Sequence, residues 1–114
     1  MARVLTPRRF AWDEIVPEQV YPGVERQVID GAHQTLVRYV YRPGAIFPVH
    51  AHPQEQITTV LTGRIEFTVA GETVVLGPGE TAIIPAGIPH GAAVVGDDTV
   101  ETLNSLSPRR MDHP

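Results

Sequence analysis

Ile57-Thr58-Thr59-Val60-Leu61-Thr62-Gly63-Arg64-Ile65-Glu66-Phe67-Thr68-Val69-Ala70-Gly71-Glu72-Thr73-Val74-Val75-Leu76 reads as three short strands separated by two turns. Ile65, Phe67 and Val69 alternate with Glu66 and Thr68, the period of a strand with one buried face. Thr62-Gly63 and Ala70-Gly71 supply the turns between the strands. Working outward, the same pattern recurs. Upstream, Gln34–Tyr41 sets Thr35, Val37, Tyr39 and Tyr41 against Gln34, Leu36, Arg38 and Val40, and stops at Arg42-Pro43-Gly44. Glu25–Ile29 precedes it and ends at Asp30-Gly31, while Ile46–His52 follows. Downstream, Gly77-Pro78-Gly79 leads to the apolar run Thr81–Ile84, then to His90–Val95 and Thr99–Leu103. Regularly spaced short strands joined by Gly/Pro/Asp turns predict a sandwich or barrel of antiparallel strands, with a jelly roll as a common solution.

Composition agrees. Val, Ile and Thr number 15, 8 and 10 of 114 residues, and 10 Gly and 11 Pro interrupt any long helix. The length suits one domain, 1–114, in which residues 1–22 form an N-terminal arm or edge segment. Within that arm, Trp12–Val16 fits a short helical turn or an edge, and Pro17 and Pro22 limit regular structure. The absence of cysteine excludes disulfides, thiolate metal sites and thiol nucleophiles. All nine basic residues are Arg, so no lysine amine is available for a Schiff base. A net charge of −4 with scattered basic residues argues against nucleic acid as partner, and no apolar stretch is long enough for a membrane helix. The first nine residues carry no continuous apolar core of an export signal, which predicts a cytoplasmic protein.

The chemistry concentrates in the histidines. His50 and His52 are two apart, so on an extended strand their imidazoles project to one side. Glu55 and Gln56 follow closely, and His90 opens a later strand after a Pro-rich turn. Two neighbouring imidazoles, a third from another strand and one oxygen donor are the components of a nitrogen-rich metal site. Each piece has an ordinary reading when taken alone. His-x-His is often a coincidence of a loop, and a histidine beside a turn is often satisfied by backbone. His33 lies in a turn and reads as solvated; His113 lies in the tail. The residue types leave the oxygen donor open between Glu55, the better anion, and Gln56.

The spacings together are more specific. Gly44, His50, His52, Gln56 and Gly63 form one block, and Gly79, Pro85, Gly87 and His90 form a second. This pair of blocks resembles the two signature motifs of the cupin superfamily. The resemblance implies an all-β, cupin-type double-stranded β-helix (a jelly-roll barrel) with a divalent transition metal inside: Fe, Mn, Ni, Co or Zn. Carried over by position, the ligands are His50, His52, Gln56 and His90. Val94 stands where many cupins have a non-ligating Asn. A narrower resemblance runs from Phe10-Ala11-Trp12-Asp13-Glu14 into Ser107-Pro108-Arg109-Arg110. It is to the small pectin- and alginate-degradation cupins that convert 4,5-unsaturated uronates into open-chain keto forms. That resemblance places a catalytic arginine on Arg110. It also places an acid on position 104 and an aromatic on position 106, where this chain has Asn104 and Leu106. An Asn is no general acid or base at neutral pH. Glu101, three residues away, falls on the opposite strand face.

Three neutral imidazoles and an amide leave a bound cation's charge uncompensated, which favours an anionic ligand or an acidified water. Arg26, Arg38 and Arg110 are candidates for gripping a substrate carboxylate. Tyr39 and Tyr41 read as core or dimer-interface residues. The expectation is therefore a metal-dependent enzyme acting on a small anionic or carbonyl-bearing compound, of the sugar-acid kind. The alternatives are a cupin dioxygenase, a non-catalytic small-molecule-binding module or a metal that only braces the barrel. Exposed edge strands predict a homodimer, with the N-terminal segment as a candidate for exchange.

Overall fold

A computed structural model describes residues 6–110; His113 lies outside them. Among the described residues, ten strands form two antiparallel sheets. They are β1 (Glu18–Tyr21), β2 (Val24–Asp30), β3 (Thr35–Tyr41), β4 (Ile46–His50), β5 (Glu55–Thr62), β6 (Ile65–Val69), β7 (Glu72–Leu76), β8 (Thr81–Ile84), β9 (His90–Val94) and β10 (Val100–Ser107). The larger sheet has the order β1-β2-β3-β10-β5-β8 and the smaller β4-β9-β6-β7. The all-β jelly-roll expectation holds.

The core lies between the sheets, where alternation brings Val24, Val37, Tyr41, Phe47, Val60, Ile65, Phe67, Ile84 and Val100 inward. On β3 the inward set includes the predicted Thr35, Val37, Tyr39 and Tyr41, with Leu36 exposed. Glu72–Leu76 and Thr81–Ile84 form strands at their predicted limits, and β10 runs on to Ser107. The Ile46–His52 expectation is shortened: β4 ends at His50, and its pairing with β9 is irregular between Phe47 and His50. Gly91 sits opposite this irregularity. A Cβ there would lie 3.1 Å from the Phe47 carbonyl oxygen and 3.2 Å from the Val49 nitrogen, so the close approach of β4 and β9 favours a residue without one.

The N-terminal arm is more ordered than its prolines suggest. Trp12–Glu14 is one 3₁₀ turn, and Glu18–Tyr21 between the prolines is an edge strand pairing with β2. Buried Gln27 ties the arm down by donating from Nε2 to the Trp12 and Ile15 carbonyls at 2.6 and 2.7 Å. Its Oε1 accepts from the Arg38 guanidinium at 2.6 Å.

Candidate metal centre and ligand cavity

His50 and His90 are register partners on β4 and β9, with ring centroids 4.3 Å apart. His52, just past the end of β4, brings its ring to 5.5 Å from His50 and 4.9 Å from His90. One ligand nitrogen from each lies within 4.8 Å of the others, so residues from distant stretches of sequence converge on one point. Phe47 supports the cluster from the core side, 4.7 Å from the His50 ring and edge-on to Tyr21 and Tyr39.

Each imidazole is held by its own backbone. Nδ1 of His50 lies 3.0 Å from the Pro48 carbonyl, Nδ1 of His52 3.1 Å from that of Gln54, and Nδ1 of His90 2.9 Å from that of Ile88. A carbonyl only accepts, so each Nδ1 carries a proton, and in the neutral ring Nε2 keeps its lone pair. This is the orientation in which metal-ligating histidines are usually held. Burial pushes the His90 pKa down to about 4, opposed by the bond to Ile88 and assisted by the charges of His50, His52 and Arg110. Burial also lowers that of His50. Both are therefore neutral at pH 7, the form that coordinates a cation.

Two further observations test whether these residues fit a metal. His90 Nε2 is buried with no hydrogen-bond partner among the described residues, and leaving such an atom unpaired costs free energy. Gln56 Oε1 lies 3.1 Å from His52 Nε2. In the neutral Nδ1–H form of the ring two lone pairs face one another across that gap, an arrangement that a cation between them relieves. The donor set fits a divalent transition metal. Gln56 points inward and is buried, whereas Glu55, one residue earlier on β5, points out and is exposed. The alternation of the strand separates the two candidates for the oxygen donor.

Beside the imidazoles is an inner chamber of about 20 Å³, room for little more than a water. Gln56, Asn104, Leu106 and Arg110 line it together with His50 and His90. It shares Tyr39, Phe47, His50 and Arg110 with an outer cavity of about 280 Å³, to which Val20, Tyr21 and Arg26 contribute. Among the described residues, neither lining contains a carboxylate. Arg110 is placed by its backbone N–H, which donates to buried Thr35 Oγ1 at 3.0 Å; Thr35 in turn donates to Asp30 at 2.7 Å. Arg26 is buried, bonded to Glu18 by Nε and Nη2 at 2.9 and 2.6 Å, and hydrogen-bonded to Tyr39. Burial raises the Tyr39 pKa, so its hydroxyl keeps its proton, although Arg26 pulls the other way.

Of the three candidate arginines, Arg26 and Arg110 line the cavity and Arg38 does not. Arg38 lies on the outer face, where Nε donates to Glu101 at 3.0 Å. Glu101 is thereby placed on the face away from Asn104, as its odd offset predicts. His33 is exposed. Tyr41 is core and touches the inner chamber, whereas Tyr39 packs against the core and also lines both chambers; an inward tyrosine looks the same in sequence whether it meets packing or a cavity.

Two packed antiparallel sheets enclose a three-histidine cluster that could hold a metal ion. The family model for the cupin domain, Cupin_2, matches residues 37–105, and the chain belongs to that family. Among solved structures, KdgF from Halomonas sp. superimposes with a TM-score of 0.84 at 29% identity, covering 94% of this chain and 98% of that one. An RmlC-like cupin from Shewanella frigidimarina gives 0.84 at 25% identity, covering 94% and 96%. Among curated proteins, dimethylsulfoniopropionate lyase DddQ of Ruegeria pomeroyi is 42% identical over 62 residues, which cover 52% of this chain and 31% of the lyase. The chain spans less than half the length of the curated relatives it matches.

Proposed function

We propose that this cupin is a metal-dependent enzyme acting on a small carboxylate- or carbonyl-bearing compound, with a sugar acid of the unsaturated-uronate kind as the leading substrate class. The observation that carries the reading is the set of three imidazoles, each with Nδ1 held by a backbone carbonyl, beside a cavity lined by Arg26 and Arg110. His50, His52, His90 and Gln56 would hold the metal. A divalent cation held there supplies Lewis acidity toward a substrate oxygen. Arg110 would bind and orient the substrate carboxylate as a planar guanidinium does, with Arg26 contributing charge from the cavity wall. The Tyr39 hydroxyl, kept protonated by burial, would donate a hydrogen bond to a substrate oxygen. The outer cavity, about 280 Å³, suits a monosaccharide-sized ligand. The resemblance to uronate-opening cupins and the chain-wide match to KdgF support the substrate class.

Asn104 and Leu106 in the inner chamber favour a second reading: binding of such a compound without turnover, or a different reaction on it. Incubating metal-loaded protein with a panel of 4,5-unsaturated uronates and diketones separates the two. Loss of the conjugated double-bond absorbance, reduced at least tenfold in Arg110→Gln, is the outcome that an enzyme gives. No turnover across the panel, with a ligand that raises the melting temperature, would replace catalysis with binding. The same protein is proposed to pair through its edge strands; elution at monomer size in gel filtration would contradict that.

A further inference from the structure

We propose that Asn104 is a positioning residue, which fixes the Gln56 amide so that its oxygen, and not its NH₂ group, faces the three imidazoles. The inference rests on the reading that Gln56 gives a metal its oxygen donor. An amide end can point either way, and the choice here is set by a chain of hydrogen bonds that begins at a backbone carbonyl. The Val37 carbonyl only accepts, so the Asn104 group 3.1 Å from it is Nδ2. The same Nδ2 donates to Thr102 Oγ1 at 2.9 Å. Asn104 Oδ1 therefore points the other way, where it accepts from Thr58 Oγ1 at 2.6 Å and from Gln56 Nε2 at 3.2 Å. Gln56 Nε2 also donates to Thr58 Oγ1 at 2.9 Å. With both of its amide protons used, Gln56 presents Oε1 to His52 Nε2 at 3.1 Å. Turning the amide over would set its oxygen against Asn104 Oδ1.

Water has little chance to substitute in this chain. Thr58 and Thr102 are 0% exposed, Asn104 1% and Gln56 7%. The residues stand in register across three strands, with Val37 opposite Asn104 on β3 and β10, and Asn104 opposite Thr58 on β10 and β5. A buried polar row of this kind is retained when each member is satisfied by the next. Here its far end is a ligand atom.

The test is a double-mutant cycle on Co(II) affinity, measured by chelator competition on folded protein checked by circular dichroism. Asn104→Leu is expected to weaken Co(II) binding roughly tenfold to a hundredfold, the range for partners that orient ligands, and Gln56→Ala by a comparable factor. The double variant is expected to bind no more weakly than Gln56→Ala alone, because Asn104 acts through Gln56. A residue with a purely structural role would give losses that multiply. Asn104→Ala removes the acceptor for Gln56 Nε2 with a smaller change of shape and is expected to weaken Co(II) binding by a factor similar to Asn104→Leu. Wild-type affinity in folded Asn104→Ala overturns the proposal even if Asn104→Leu fails to fold. Wild-type affinity in Asn104→Leu, undiminished binding in Gln56→Ala, or multiplicative losses in the double variant overturn it too. Failure of the metal reading itself looks different: the wild type takes up no Co(II), or His90→Ala takes up as much.

Discussion

Acidifying the metal-free protein isolates one imidazole. His90 is 2% exposed, and its pKa falls from 6.5 to about 4 on folding, chiefly through burial, with His50, His52 and Arg110 facing it. A histidine whose folded pKa is depressed binds fewer protons in the native state than in the unfolded chain. Its contribution is present above the unfolded pKa and is lost as pH falls through 6.5 toward 4. At about 1.4 kcal/mol for each pH unit separating the unfolded and folded values, the full gap corresponds to about 3 kcal/mol, most of which is lost by about pH 4.5. That is a large share of the stability of a domain this size. The assay is urea unfolding of chelator-treated protein at about pH 7.5 and about pH 4.5, beside His90→Gln. His50, whose pKa is lowered in the same direction, contributes to the slope of both proteins. The variant is expected to lose about 2 kcal/mol less than the wild type between the two conditions. Equal losses in the two proteins would refute the reasoning that burial holds His90 neutral.

Gly63 and Gly87 share a positive φ, +76° and +75°, but differ in surroundings. A Cβ on Gly63 would lie 2.7 Å from the Thr99 carbonyl oxygen, whereas nothing lies within 4 Å of one on Gly87. Gly87→Ala should cost about 1 kcal/mol for the backbone alone and Gly63→Ala clearly more, read from urea midpoints. Arg38→Gln, which takes the guanidinium from Glu101 and from the buried Gln27 Oε1, should cost about 1–3 kcal/mol in urea unfolding and leave ligand binding intact, measured by calorimetric titration. Phe47→Ala should cost about 3–5 kcal/mol in thermal or urea unfolding, since the ring joins Tyr21 and Tyr39 to His50 in a packed core.

Much of the fold was legible because alternation is a local signal. Alternation alone puts Thr35, Val37, Tyr39 and Tyr41 on one face of β3, although packing decides that this face is the inner one, and the Gly63 and Gly71 turns mark the flanks of β6. The convergence of His50, His52 and His90 was legible as what the resemblance to the two cupin motifs implies, although the pairing of His50 with His90 across two strands is a property of topology. Other features were hidden for physical reasons. β1 forms between two prolines because an edge strand leaves some N–H positions unpaired. Arg26 and Gln27 are both buried, which no period-2 pattern allows, because the arm crosses the outer face above Gln27. β10 reverses the usual hydropathy: Thr102 and Asn104 are inside while Leu103 is only half-buried. Polar residues that satisfy one another can occupy a core, but from sequence they look like a solvated face.

The most direct measurement is the metal content of the purified protein, taken with Co(II) uptake after chelator treatment, in the wild type and in His90→Ala. Three Nε2 lone pairs and one amide oxygen around a common point predict one divalent ion bound per chain, with uptake sharply reduced in the variant. A wild-type protein that binds no divalent transition metal, or a variant that binds it equally well, would contradict the account.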